Sequence, residues 1–168
     1  LGHAVLQARD AVMRDGCGRI LILLGDALVF GCDASSEMIA VSKRNADCSV
    51  IGFERVPMEK VSRYGIARPK REIVNDTTFI LDDLVEKPSL ENAPSNLAVA
   101  GRYLLSTEIF DFLDGQQAGV GGEIQLTDAI RRMIGVKEVA GYVYPGTRQD
   151  IGNPDGYFKA LEVFYGYR

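Results

Sequence analysis

Residues Arg19–Phe30 read RILILLGDALVF. Ile20 to Leu24 are five consecutive large apolar residues, bounded by Gly18 and Gly25. A run this short suits a strand covered on both faces, at the centre of an α/β sheet. Asp26 follows at once. In open parallel sheets, ligands bind beyond the carboxyl ends of the strands, which would put Asp26 in a site. An aspartate in a turn has an equally good local explanation, and on this stretch alone both readings stand.

Working outward, Ala4, Val5, Ala8, Ala11 and Val12 recur at helical spacing before Gly16 and Gly18. On the other side, Ser35 and Ser36 are N-cap candidates for a helix running to about Ala46, with Lys43 and Arg44 in its last turn. Cys48–Glu54 (CSVIGFE) reads as a second strand. Pro57 begins a short helical piece ending before Tyr64 and Gly65. Two extended segments follow, IARPKREIV and TFILDDLVEKP, separated by the turn signal Asn75-Asp76. A polar loop then leads to another buried-looking strand, LAVAGRYLL, and to a helix, TEIFDFLD, opened by Thr107 and stopped by Gly115. Gly115–Gly122 holds four glycines and reads as irregular. A helix over Ile124–Ile134, a strand over Val136–Pro145 and a helix starting at Pro154, with Asn153 as its cap, complete the chain. Strands alternating with helices predict one α/β domain over residues 1–168.

Composition narrows the function. A chain of 168 residues with 46% hydrophobic and 25% charged residues supports one substantial core. The net charge of −4 and the lack of a Lys/Arg block argue against a nucleic-acid partner. No apolar run nears the roughly 20 residues that span a bilayer, so no membrane partner is expected. Cys17, Cys32 and Cys48 match no metal spacing, and they read as reduced, structural thiols of a cytoplasmic protein. The opening LGHAVLQARD, already helical in pattern, reads as the interior of a longer protein.

The residues that could do chemistry are few. Asp26 and Asp150 each fall where a strand gives way to a loop. Two carboxylates from different strands, completed by substrate phosphates and water, commonly hold Mg²⁺; an acid ahead of a helix is also favoured by the helix dipole alone. Lys87 could place a charge on a phosphate, and Glu86 could accept hydrogen bonds from sugar hydroxyls, although a Glu-Lys pair is as readily a solvated strand end. Gly65 would let a ligand approach the backbone, or simply make a turn. His3, the single histidine, reads as structural or peripheral.

The strings LGHAV, YGIA, VEKP, PSNLAVAGRYLLS, GEIQLTDAI and DIGN…GY occur in this order along the chain. Together they resemble the bacterial UTP–glucose-1-phosphate uridylyltransferases, sugar nucleotidyltransferases of the glycosyltransferase-A-like fold. That fold has a mixed, mostly parallel sheet flanked by helices. The resemblance runs essentially from Leu1 to Arg168 and covers the C-terminal portion of the family, the sugar-binding half with the end of the nucleotide-binding half. It implies UTP and glucose 1-phosphate as partners, Mg²⁺ as cofactor and a homo-oligomer.

By the same resemblance, Gly2 lies against the uracil base, Asp26 and Asp150 bind the metal, and Gly65 borders the sugar ring. Glu86 takes sugar hydroxyls, Lys87 takes the sugar phosphate, and Asn96, Ala98, Gly101 and Tyr103 line the sugar pocket. Asp26, Lys87 and Asp150 then form the catalytic set. Gly25 replaces a proline usual before the aspartate, and Gly122 replaces a usual acid. The family's glycine-rich triphosphate loop has no counterpart in these residues, so the expectation is that the chain by itself is inactive. A relative with another base or sugar, and a non-catalytic sugar-phosphate-binding module, are the alternative readings.

Overall fold

The structure, a computed structural model, describes residues 1–72, 76–115 and 122–166. In chain order the elements are α1 (Gly2–Gln7), α2 (Arg9–Arg14), β1 (Arg19–Leu23), β2 (Ala27–Phe30), α3 (Ala34–Arg44) and β3 (Ser49–Arg55). A 3-10 turn (Met58–Arg63), β4 (Gly65–Pro69), β5 (Thr78–Glu86) and a second 3-10 turn (Leu90–Asn92) follow. The remainder is β6 (Leu97–Ser106), α4 (Ile109–Leu113), α5 (Leu126–Ile134), β7 (Val139–Val143), β8 (Thr147–Asp150) and α6 (Pro154–Gly166). The Asn75-Asp76 turn and most of the glycine-rich stretch predicted over Gly115–Gly122 lie outside the described residues.

Six strands form one sheet in the order β1-β6-β3-β7-β5-β4, and β2 pairs with β8 in a separate ribbon. β6 is the hub, hydrogen-bonded to β1 and β3 and touching β4. Most of its apolar residues divide between two large cores on opposite faces, as strand alternation requires. Leu97, Tyr103 and Leu105 pack towards Phe110, Leu113, Leu126 and Ile130 of α4 and α5. Ala100 and Leu104 face the opposite way, towards Met38 and Val41 of α3. A helical layer therefore covers each face of the sheet.

Three expectations are corrected. β1 is an edge strand paired to β6 alone, not a strand buried on both faces: Leu21 and Leu23 are 38% and 50% exposed. Ile20 and Ile22 do join the core beside Val12. Because both faces of the strand are aliphatic, hydrophobicity alone could not separate the covered face from the open one. Secondly, the sheet is mixed but not mostly parallel. Among the described residues only β3 and β7 pair in parallel, because β6 runs antiparallel to β1, β3 and β4. Thirdly, α3 is capped by Asp33, whose carboxylate accepts from the Ser36 N–H at 3.1 Å, and not by Ser35 or Ser36. The α6 start is as expected, with Asn153 Oδ1 accepting from the Gly156 N–H at 2.9 Å.

The register of β6 against β3 shifts between Ile51 and Phe53, and Gly101 sits in that bulge with φ +74°. Its carbonyl accepts from the Leu24 N–H at 2.9 Å. A Cβ on Gly101 would lie 2.8 Å from Ala27 Cβ. The bulge thus lets the Leu24–Ala27 turn seat directly on the sheet and fixes where Asp26 stands.

Candidate active site

The β2–β8 ribbon explains how two aspartates distant in sequence meet. Ala27 lies opposite Asp150 in its register, and Asp26 immediately precedes Ala27. The Asp26 carbonyl also accepts from the Ile151 N–H at 2.8 Å. Asp150 Oδ1 is held by its own turn, accepting from the Gly152 N–H at 3.0 Å. A Cβ built on Gly152 would stand 3.2 Å from Asp150 Oδ1 and 3.3 Å from Asp26 Oδ2. The two carboxylates therefore flank one small space that glycine leaves open. Two hard oxygen donors facing such a space suit a divalent cation that takes its remaining ligands from phosphates and water. No group of three or more acidic, histidine or cysteine ligands occurs among the described residues.

Both aspartates line a cavity of about 220 Å³ whose other wall is built by the sheet. Gly65 and Glu86, paired across β4 and β5, lie on that wall with Gly101 and the buried Tyr103. Burial, and the nearby Glu86 charge, push the Tyr103 phenol far above its ordinary pKa, so it stays protonated and able to donate. A larger open hollow of about 430 Å³, lined by Lys70, Phe79 and Thr78 among others, gathers no acidic side chain. The smaller cavity is where the chemistry collects.

Of the residues singled out from the sequence, Asp26, Gly65, Glu86, Gly101, Tyr103 and Asp150 converge on this cavity. Four do not line it. Gly2 is buried against the Ile124 carbonyl, where a Cβ would come within 2.7 Å. Ala98, at 0% exposure, faces Val61 and Ile66 in a small separate core and not a sugar pocket, because alternation along β6 turns it to that side. Asn96 lies before β6, where its side chain accepts from Arg55 at 3.5 Å and its carbonyl from Val56 N–H at 3.0 Å. Lys87 is exposed, in the left-handed region with φ +45°, its N–H donating to the Tyr64 carbonyl at 2.9 Å. His3 is also exposed, near Gln7.

Sequence reasoning missed Arg148. Its side chain is only 10% exposed, yet it binds Glu54 Oε1 at 2.5 Å, lies 5.3 Å above the Tyr64 ring and reaches within 3.7 Å of Asp150 Oδ2. Burial works against its charge, but Glu54 and Tyr64 more than offset it and the guanidinium pKa is raised. Residues 148 and 150 share a face of β8, a strand that lies beyond the one predicted over Val136–Pro145. Thr127 was missed as well. It lies in the first turn of α5, and its hydroxyl donates to Glu86 Oε2 at 2.7 Å.

This fold, with two carboxylates at the mouth of a polar cavity, is that of a nucleotide-transferring enzyme family. Residues 1–164 match the nucleotidyl transferase family model, and the chain belongs to that family. Among curated relatives, a UTP–glucose-1-phosphate uridylyltransferase of Pseudomonas aeruginosa is 35% identical over 98% of this chain and 58% of its own length. One from Staphylococcus epidermidis is 39% identical over 95% and 54%. The chain thus spans little more than half the length of these relatives. A solved UDP-glucose pyrophosphorylase complexed with UDP-glucose superposes with TM-score 0.88 and 36% identity, covering 100% of this chain and 63% of that one. A UTP-bound UGPase from Acinetobacter baumannii gives TM-score 0.82 and 34% identity, covering 97% and 55%.

Proposed function

We propose that the protein, at its natural full length, transfers a uridylyl group from UTP to glucose 1-phosphate, giving UDP-glucose and pyrophosphate. The observation that carries this reading is the convergence of Asp26 and Asp150 across Gly152, above a cavity floored by Glu86 and Gly65. The names of the relatives supply the nucleotide and the sugar.

A phosphate oxygen of glucose 1-phosphate attacks the α-phosphorus of UTP, and the bond from that phosphorus to the β-bridging oxygen breaks. Catalysis then consists mainly of positioning two polyanions and neutralising their charge. Asp26 and Asp150 would hold a Mg²⁺, which when bound supplies that neutralisation at the phosphates. Glu86 accepts hydrogen bonds from sugar hydroxyls, and Tyr103 donates one. Lys87, exposed just beyond Glu86, offers its ammonium to the sugar phosphate. Arg148, paired to Glu54, props Asp150 and keeps its carboxylate turned towards the space at Gly152.

The test is pyrophosphate release by the natural full-length protein, with UTP compared against other nucleoside triphosphates and glucose 1-phosphate against other sugar phosphates. Preference for UTP and glucose 1-phosphate is expected, and Asp150→Asn should lower turnover far more than sugar affinity. Faster turnover with another nucleotide or sugar would reassign the substrates. No turnover with any pair would point to a binding module.

A further inference from the structure

Two ties join α5 to β5, and they run side by side. Arg131 of α5 grips Asp83 of β5 through two hydrogen bonds of 2.7 and 3.0 Å. Four residues before Arg131 on the same helix, Thr127 donates to Glu86 at the end of the same strand. Residues four apart on a helix share a face, so the ion pair sets the register in which the hydroxyl meets the carboxylate. Thr127 is only 7% exposed, and a hydroxyl so buried needs a partner. The backbone of Gly65 completes the arrangement: a Cβ there would stand 3.2 Å from Glu86 Oε2, 3.3 Å from Val99 Cγ2 and 3.5 Å from Thr127 Cγ2.

We propose that Thr127 is a positioning residue for the sugar, its hydroxyl holding Glu86 Oε2 so that the carboxylate presents one fixed edge to the sugar hydroxyls. This inference rests on the reading of Glu86 as a sugar-binding group. Without the donor, the carboxylate rotates about its last side-chain bond, and its bonds to the sugar lose their fixed direction. The effect falls on the sugar and not on the nucleotide, because the Thr127 hydroxyl donates to Glu86 and so acts through that carboxylate.

The experiment compares Thr127→Val, Thr127→Ser and Glu86→Gln in the natural full-length protein, reading KM for glucose 1-phosphate, KM for UTP, kcat and thermal midpoint. Valine keeps the shape of threonine and removes the donor. Thr127→Val should raise the sugar KM about tenfold, as loss of a charge-assisted hydrogen bond does, and leave the UTP KM within twofold. Thr127→Ser should restore the sugar KM. If Thr127→Val does not fold, Thr127→Ala takes its place against Thr127→Ser. An equal rise in both KM values, or no rescue by serine, would overturn the proposal in favour of a packing role. If Glu86→Gln weakens the sugar and Thr127→Val does not, the proposal fails while the reading of Glu86 stands. If Glu86→Gln leaves the sugar KM unchanged, the reading of Glu86 fails and the proposal with it.

Discussion

Replacing Gly152 by alanine would put a methyl group between Asp26 and Asp150, at 3.2 and 3.3 Å from their oxygens. Contacts this tight make the carboxylates give by a few tenths of an ångström, which disturbs the spacing of the two oxygens. The Mg²⁺ concentration for half-maximal activity in the natural full-length protein should therefore rise about tenfold, as disturbance of a ligand's support typically does. A metal titration of Gly152→Ala against the parent checks this, and an unchanged requirement would mean the two aspartates share no ion. Glu86 allows a second prediction. Glu86→Gln keeps the Thr127 contact but removes the charge, so glucose 1-phosphate should bind at least tenfold more weakly with UTP little affected. Titration calorimetry with each ligand separates these outcomes. Both residues are small in sequence terms, one glycine and one strand-end acid, and each acts through what stands directly beside it.

At the scale of elements, α5 is pinned by the Asp83–Arg131 pair, in which Asp83 is nearly buried and Arg131 is 56% exposed. Arg131→Met strands the carboxylate, whose remaining partners among the described residues are Arg68 at 3.6 Å and the Leu84 N–H. A loss of about 1–2 kcal/mol is expected, discounted for the exposed partner, and Asp83→Asn with Arg131→Met should cost less than the two singles added. Denaturant midpoints of the four proteins decide it. The α3 cap supplies a pH test. Hydrogen bonds from Ser36 hold the Asp33 carboxyl below its ordinary pKa. Its folded value being depressed, the cap's contribution is fully present above the unfolded value of about 3.9 and fades as pH falls through the lower folded value. Melting curves of the parent and Asp33→Asn should therefore converge on acidification below about pH 4. These elements differ in how openly the sequence displayed them. Most helices and strands were visible, because apolar spacing records which face is covered. The edge position of β1 was not, since Leu21 and Leu23 are as aliphatic as Ile20 and Ile22. The meeting of Asp26 with Asp150 was visible only as two strand ends, because nothing local encodes the pairing of β2 with β8. Asp33 was passed over for two serines that suit a cap equally well by type. Arg148 was not legible, because it lies beyond the strand predicted over Val136–Pro145 and its partners Glu54 and Tyr64 are distant in sequence.

Across the whole molecule, the described sheet ends at β1, whose outer edge is unpaired and whose Leu21 and Leu23 are exposed. α6 likewise displays Phe158 and Tyr165, both more than 60% exposed. Expressed by itself, the 168-residue chain, which spans little more than half the length of its relatives, should release no measurable pyrophosphate from UTP and glucose 1-phosphate. It should also elute larger than a monomer, because open edges and apolar patches associate. Assay beside the natural full-length protein, with size-exclusion chromatography, checks both; activity near the full-length rate would show that the triphosphate is gripped by residues of this chain. A different consequence follows from the ribbon. The paired aspartates ride on β2 and β8, outside the six-stranded sheet, whereas Gly65, Glu86 and Thr127 belong to β4, β5 and α5. On the roles proposed above, the ion and the sugar would be held by different elements that line one cavity. A chimaera carrying β4, β5 and α5 from a relative of different sugar preference should inherit that preference with its metal requirement unaltered.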